Sequence, residues 1–194
     1  MNPIINIVLL FVAMNAAAFF LLWWLSQRRR KKLESLASRL GGEVVSVFLA
    51  GAYVRLGQGP DEVWIKLIPG GKNQPNYLEL QCRSPLGFNL SISRENRATR
   101  ALERWGLLKE VKIGAPGFDE QYLILSNDPA QAMMFLQGPG RREAVDYFFR
   151  QGFTALLAGK EAVAVRKPRY READLELGTI RAHLEQLGRL AGKQ

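Results

Sequence analysis

Residues 4–25 carry no charge. They read IINIVLLFVAMNAAAFFLLWWL, 22 positions whose only strongly polar members are Asn6 and Asn15. As a helix rising about 1.5 Å per residue, such a stretch reaches roughly 33 Å, against about 30 Å for bilayer hydrocarbon. A core helix of a soluble domain rarely stays uncharged over this length, so residues 1–27 read as a transmembrane anchor. No basic residue precedes the apolar run and no small-x-small pattern follows it, so it reads as a retained anchor rather than a cleaved signal. Trp23 and Trp24 suit the membrane interface. After them come Arg28, Arg29, Arg30, Lys31 and Lys32, the cluster that keeps its side of a span in the cytoplasm. The expected topology has the amino terminus outside and the remaining chain inside.

The charge balance then becomes informative. The chain carries a formal charge of +9 over 194 residues, but outside those five cations 22 Lys and Arg face 18 Asp and Glu, a balance of +4. A nucleic-acid binder normally shows a dominant basic face, so nucleic acid is not an expected partner. Residues 28–40 read as a basic juxtamembrane segment with a short helix, suited to anionic lipid headgroups at about 1 kcal/mol per cation near the surface. Arg166, Lys167, Arg169 and Arg171 form a second basic patch, a candidate contact for an anion or a partner.

Asn15 lies near the middle of the span, where an unpartnered amide is costly. Ala13 and Ala17 flank it at the small-xxx-small spacing that admits a second helix. Ala13, Asn15 and Ala17 are therefore the expected contact face for other integral membrane subunits.

Residues 41–194 read as one cytoplasmic α+β domain with a mostly antiparallel sheet and packed helices. A helix face at Leu33, Leu36, Ala37 and Leu40 stops at Gly41-Gly42. Strands are expected at 44–49, 53–56, 63–68, 77–82 and 88–93. In the last two, apolar and polar residues alternate, with Glu79 and Gln81 on the wet side. Cys82, on the apolar side, reads as a core residue. Residues 97–108 read as a helix or connector, 109–113 as extended and 122–125 as a buried strand. Asp128 and Pro129 open a helix to residue 136. A further helix to 151 and a hairpin of 153–157 with 162–165 follow. The last helix, 173–191, carries an apolar seam of Ala173, Leu177, Ile180, Leu184, Leu187 and Ala191, expected to pack on the sheet rather than in a coiled coil. His183 reads as a surface histidine.

The stretch VKIGAPGFDEQYLILSNDPAQAMMFLQGPGRREAVDYFF, followed by the GKEAVAV hairpin, carries a resemblance. Through Phe118, Asp119, Tyr122, Asp128 and Pro129 it resembles a diffuse group of uncharacterised bacterial single-pass membrane-anchored proteins, catalogued as a domain of unknown function. The resemblance spans about residues 111–165. It implies an anchor followed by an α+β domain and carries no activity with it.

Catalytic chemistry lacks its usual parts. With one Cys and one His there is no four-ligand zinc set, and no GxSxG or P-loop pattern occurs. The GPGRRE turn, with Arg141 and Arg142 at a helix start, is a candidate anion contact. No cofactor, no metal and no enzymatic activity are expected. The reading that follows is a non-catalytic accessory or assembly subunit of a multi-subunit complex in the bacterial inner membrane. The alternative is a membrane-tethered cytoplasmic sensor or binding module for lipid headgroups, peptide or a protein partner.

Overall fold

A computed structural model describes residues 3–47, 51–71, 74–94 and 109–193. The order is α1 (Pro3–Leu40), β1 (Glu43–Val47), β2 (Gly51–Leu56), β3 (Val63–Ile68), β4 (Tyr77–Arg83), β5 (Leu90–Arg94) and β6 (Lys109–Glu110). There follow α2 (Pro116–Asp119), β7 (Tyr122–Ser126), α3 (Pro129–Gln137), α4 (Arg141–Arg150), β8 (Ala155–Ala158), β9 (Ala162–Pro168) and α5 (Leu177–Leu190). Residues 97–108, read above as a helix or connector, lie outside the described residues.

The apolar run and the basic segment with its short helix are one continuous helix of 38 residues. Nothing within it breaks the pattern, because it contains no glycine and its proline sits in the first turn, where the missing N–H removes no hydrogen bond. Gly41 ends it with φ +73°, and the Gly42 N–H reaches back to the Ala37 carbonyl at 2.9 Å. A left-handed residue followed by that 6→1 hydrogen bond is a Schellman stop, which a side chain at Gly41 would strain.

The nine strands form one sheet in the order β1-β2-β3-β4-β9-β8-β5-β7-β6, and every pairing is antiparallel. Alternation along each strand sorts its side chains between two faces. One face carries Val54, Ile65, Leu78, Leu80, Val163, Val165, Leu156, Ile92 and Ile124, all fully buried and all part of a single core. Leu33, Leu36 and Ala37 of α1, Phe148 of α4 and Ile180, Leu187 and Leu190 of α5 cover that face. Cys82 belongs to the same core at 1% exposure, and burial pushes its thiol pKa up. The opposite face carries Trp64, Lys66, Glu79, Gln81, Ala164 and Arg166.

The α+β architecture with an antiparallel sheet matches the sequence expectation. Strands 63–68 and 77–82 coincide with β3 and β4 to within a residue, and Asp128 caps α3 by accepting from the Gln131 N–H at 3.0 Å. Three details differ. The last helix starts at Leu177, after a 3₁₀ turn at Glu172–Leu175, because Ala173 falls within that turn. Glu79 is buried at 4% exposure rather than wet, since Lys66 and Arg166 on the two neighbouring strands close over it. His183 is fully buried rather than on the surface, because the apolar stripe of α5 runs through Ile180, His183, Leu187 and Leu190.

The turn through Ile113, Gly114 and Ala115 that leads into α2 depends on Asp119. Its carboxylate accepts from the backbone N–H of Ile113 at 3.0 Å, Gly114 at 2.9 Å and Ala115 at 3.2 Å. Charge-assisted bonds of this kind exceed neutral ones in strength. Asp119→Ala is expected to cost about 2 kcal/mol, read as a lower urea midpoint for the full chain in mild detergent. An unchanged midpoint would show that the turn holds itself.

Candidate functional site

Every described side chain of α1 from Leu10 to Trp24 is exposed. Leu10, Phe11, Met14, Phe19 and Phe20 are all more than 60% exposed, in the one helix among the described residues long and apolar enough to cross a membrane. Ala13, Asn15 and Ala17 are exposed on the same stretch. Asn15 places one amide N–H on the Phe11 carbonyl at 2.8 Å, so part of its hydrogen-bonding need is met inside its own helix. Trp24 lies four residues before Arg28, whose guanidinium stacks 3.6 Å from the ring centroid. This pair marks the point where apolar surface gives way to charge.

The second basic patch lies at that same end of the domain. Strand β9 runs toward the root of the apolar helix and hands the chain to residues 169–171. There the Arg169 N–H donates to the Asn76 carbonyl at 2.8 Å, and Lys32 of α1 pairs with Glu172. Tyr170 packs against the core at this junction, where burial raises its hydroxyl pKa while Lys32 and the Asn76 side chain pull it down. Segments more than 130 residues apart thus share one end of the fold.

The four cations of that patch do different things. Arg166 and Lys167 are adjacent in β9 and therefore point to opposite faces. Arg166 Nε donates to Glu79 Oε2 at 2.5 Å, and Lys66 Nζ lies 3.4 Å from the other Glu79 oxygen while donating to Gln81 at 2.6 Å. Lys167 pairs with Asp174 at 2.7 Å and is mostly enclosed. Arg169 and Arg171 are exposed.

Between α1 and the sheet end lies a cleft of about 750 Å³. Ser26, Gln27, Arg29, Arg30 and Leu33 form its helical wall. Ser46, Ala52 and Leu67 from the core face and Tyr53, Lys66, Glu79 and Arg166 from the other face form the rest. Lining from both faces means that the cleft passes around the ends of β2 and β3, at Gly51, Ile68 and Pro69. Arg30 also pairs with Glu34 at 2.9 Å along the helix.

Arg141 and Arg142 are not brought to this end. Arg141 donates to the Phe135 carbonyl at 2.9 Å and lies over the Phe135 ring at 4.2 Å, closing the end of α3, and burial lowers its pKa. Arg142 is exposed on α4. Lys66, Glu79 and Tyr53 were not singled out from the sequence. Lys66 and Glu79 fall opposite each other once the β3–β4 register is known, and Arg166 joins them only through the pairing of β4 with β9. Among the described residues no three His, Cys, Asp or Glu side chains gather as a metal site would require.

Fold and site together define a class, an α+β body with a projecting apolar helix and a basic collar at its root. No family model and no curated protein matches the sequence. Among solved structures, the chain is similar to the crystal structure of the mycobacterial trehalose monomycolate transport factor A, TtfA. The match has a TM-score of 0.52 at 13% identity and covers 82% of this chain and 94% of the other. At that identity the likeness is one of fold.

Proposed function

We propose that this protein is a non-catalytic accessory or assembly subunit of a multi-subunit bacterial membrane complex. One transmembrane helix holds it in the inner membrane, with the amino terminus outside and the α+β domain on the cytoplasmic side. The observation that carries this reading is the basic collar. Arg28–Lys32 and the patch around Arg166–Arg171 meet at the root of a 38-residue helix whose described side chains from Leu10 to Trp24 are exposed. Cations at that root suit the anionic inner leaflet. The similar fold of a protein titled a transport factor supports an accessory role. The weak resemblance of residues 111–165 to uncharacterised membrane-anchored proteins belongs to the same proposal.

Neighbouring subunits would be met through the helix face of Ala13, Asn15 and Ala17. An interhelical hydrogen bond in a membrane contributes on the order of 1 kcal/mol, so Asn15→Leu is expected to weaken association by about fivefold. Crosslinking in intact membranes, followed by mild native separation and identification of neighbours, reads this directly. A protein that migrates alone, with Asn15→Leu without effect, would refute the subunit assignment.

A further inference from the structure

We propose that the cleft at the root of α1 binds the headgroup of a single anionic phospholipid. The inference rests on the membrane-anchored reading and assigns a ligand class to one surface of it.

Position is the first argument. The cleft's helical wall begins at Ser26 and Gln27, directly after Trp24 and the last apolar residues of α1. With that run spanning the bilayer, this wall lies at headgroup depth, where a lipid already in the membrane reaches it without leaving. Charge is the second. Arg29, Arg30, Lys66 and Arg166 line it against the single carboxylate of Glu79, an excess of three positive charges. The third is the mixed character of the wall. Ile68 and Pro69 offer accessible apolar surface beside the cations, as the glycerol and upper acyl region of a phospholipid requires, whereas a free phosphate has no use for it.

Glu79 gives the cleft a built centre. Its side chain is 5% exposed and holds Arg166 at 2.5 Å and Lys66 at 3.4 Å, so two cations from different strands are fixed in place before any ligand arrives. Preorganised donors bind an anion with less ordering cost than free side chains do. Glu79 is also a competing anion, which gives an unusual expectation. Removing its charge should tighten binding.

The test uses the full chain in detergent micelles with equal amounts of phosphatidylglycerol and phosphatidylcholine, released and weighed by native mass spectrometry. The expected result is one retained phosphatidylglycerol per chain, preferred about tenfold over phosphatidylcholine. Glu79→Gln should raise that preference. The triple change Arg30→Gln, Lys66→Gln, Arg166→Gln should bring it close to unity. Arg30→Gln alone, on an exposed helix surface where folding is not at risk, should lower it about threefold. A control triple of equal charge loss, Arg150→Gln, Lys160→Gln, Arg181→Gln, all on exposed residues, should leave it intact. The proposal is overturned if the control triple loses as much as the cleft triple, if Glu79→Gln weakens retention, or if soluble glycerol phosphate binds as tightly as the lipid. Displacement of the lipid by an acidic peptide at micromolar concentration would reassign the cleft to a protein partner. A chain that stays outside the micelles refutes the anchored reading as well, whereas a chain within them that shows no preference refutes the cleft alone.

Discussion

Titrating the folded protein from pH 7 to pH 4 is expected to remove about 3 kcal/mol of stability through His183 alone. The ring is fully buried on α5, edge-on to Phe153 and beside Phe148, with Nδ1 2.9 Å from the Tyr147 hydroxyl and Nε2 without a hydrogen-bond partner among the described residues. Its pKa is lowered from 6.5 to about 4, chiefly by burial and then by the nearby Lys167 ammonium, with Asp174 opposing both. The folded state therefore favours the neutral ring. Above pH 6.5 neither state is protonated and the full stability is present. Between 6.5 and about 4 only the unfolded chain takes up the proton, so stability falls as the pH falls. Below about 4 both forms are protonated and this contribution levels off. Urea unfolding followed by near-ultraviolet circular dichroism across that range measures it. His183→Leu should cost about 1 kcal/mol at pH 7, through the lost Tyr147 partner, and should remove the slope. If variant and parent lose stability in parallel between pH 6.5 and 4, the titrating group lies elsewhere.

The second large effect concerns the apolar part of α1, proposed above as the anchor. Leu10 and Met14 lie one helical turn apart on the exposed apolar stretch, close to its centre. Arginine at the middle of a membrane helix costs about 2.5–3.5 kcal/mol, so the pair Leu10→Arg, Met14→Arg should forfeit roughly 5–7 kcal/mol of insertion. The wild-type chain is expected in the carbonate-resistant membrane fraction and the double variant in the soluble or aggregated fraction. Leu10 and Met14 are 63% and 64% exposed and contribute nothing to the core, so the domain itself should keep its circular dichroism and its urea midpoint. A double variant that still resists carbonate would mean that the helix is not what holds the protein to the membrane.

Much of this was legible locally. The alternation in residues 77–82 identifies β4 and the burial of Leu78, Leu80 and Cys82, and the Gly41-Gly42 pair marks the end of α1. Asp128-Pro129 announces α3 for the same reason, because a cap and a pre-set φ act within one turn. His183 was misread because the polarity of one imidazole was weighed above its place on the helix face. Ile180, Leu187 and Leu190 stand three, four and seven residues away, which puts them on the same stripe.

The collar and the cleft belong to another order of information. Composition and period placed an apolar rod beside five cations and an antiparallel sheet after it, since hydrophobic spacing and turn chemistry act over a few residues. They contain nothing about which strand lies beside which. Arg166 reaches Glu79 because β9 pairs with β4 across some eighty intervening residues, and Lys32 meets Glu172 because α1 packs on the face that α5 also covers. Contacts of that range are chosen by burial of the whole core and by register. A one-residue slip of β9 would turn Arg166 into the core and close the cleft's cationic wall.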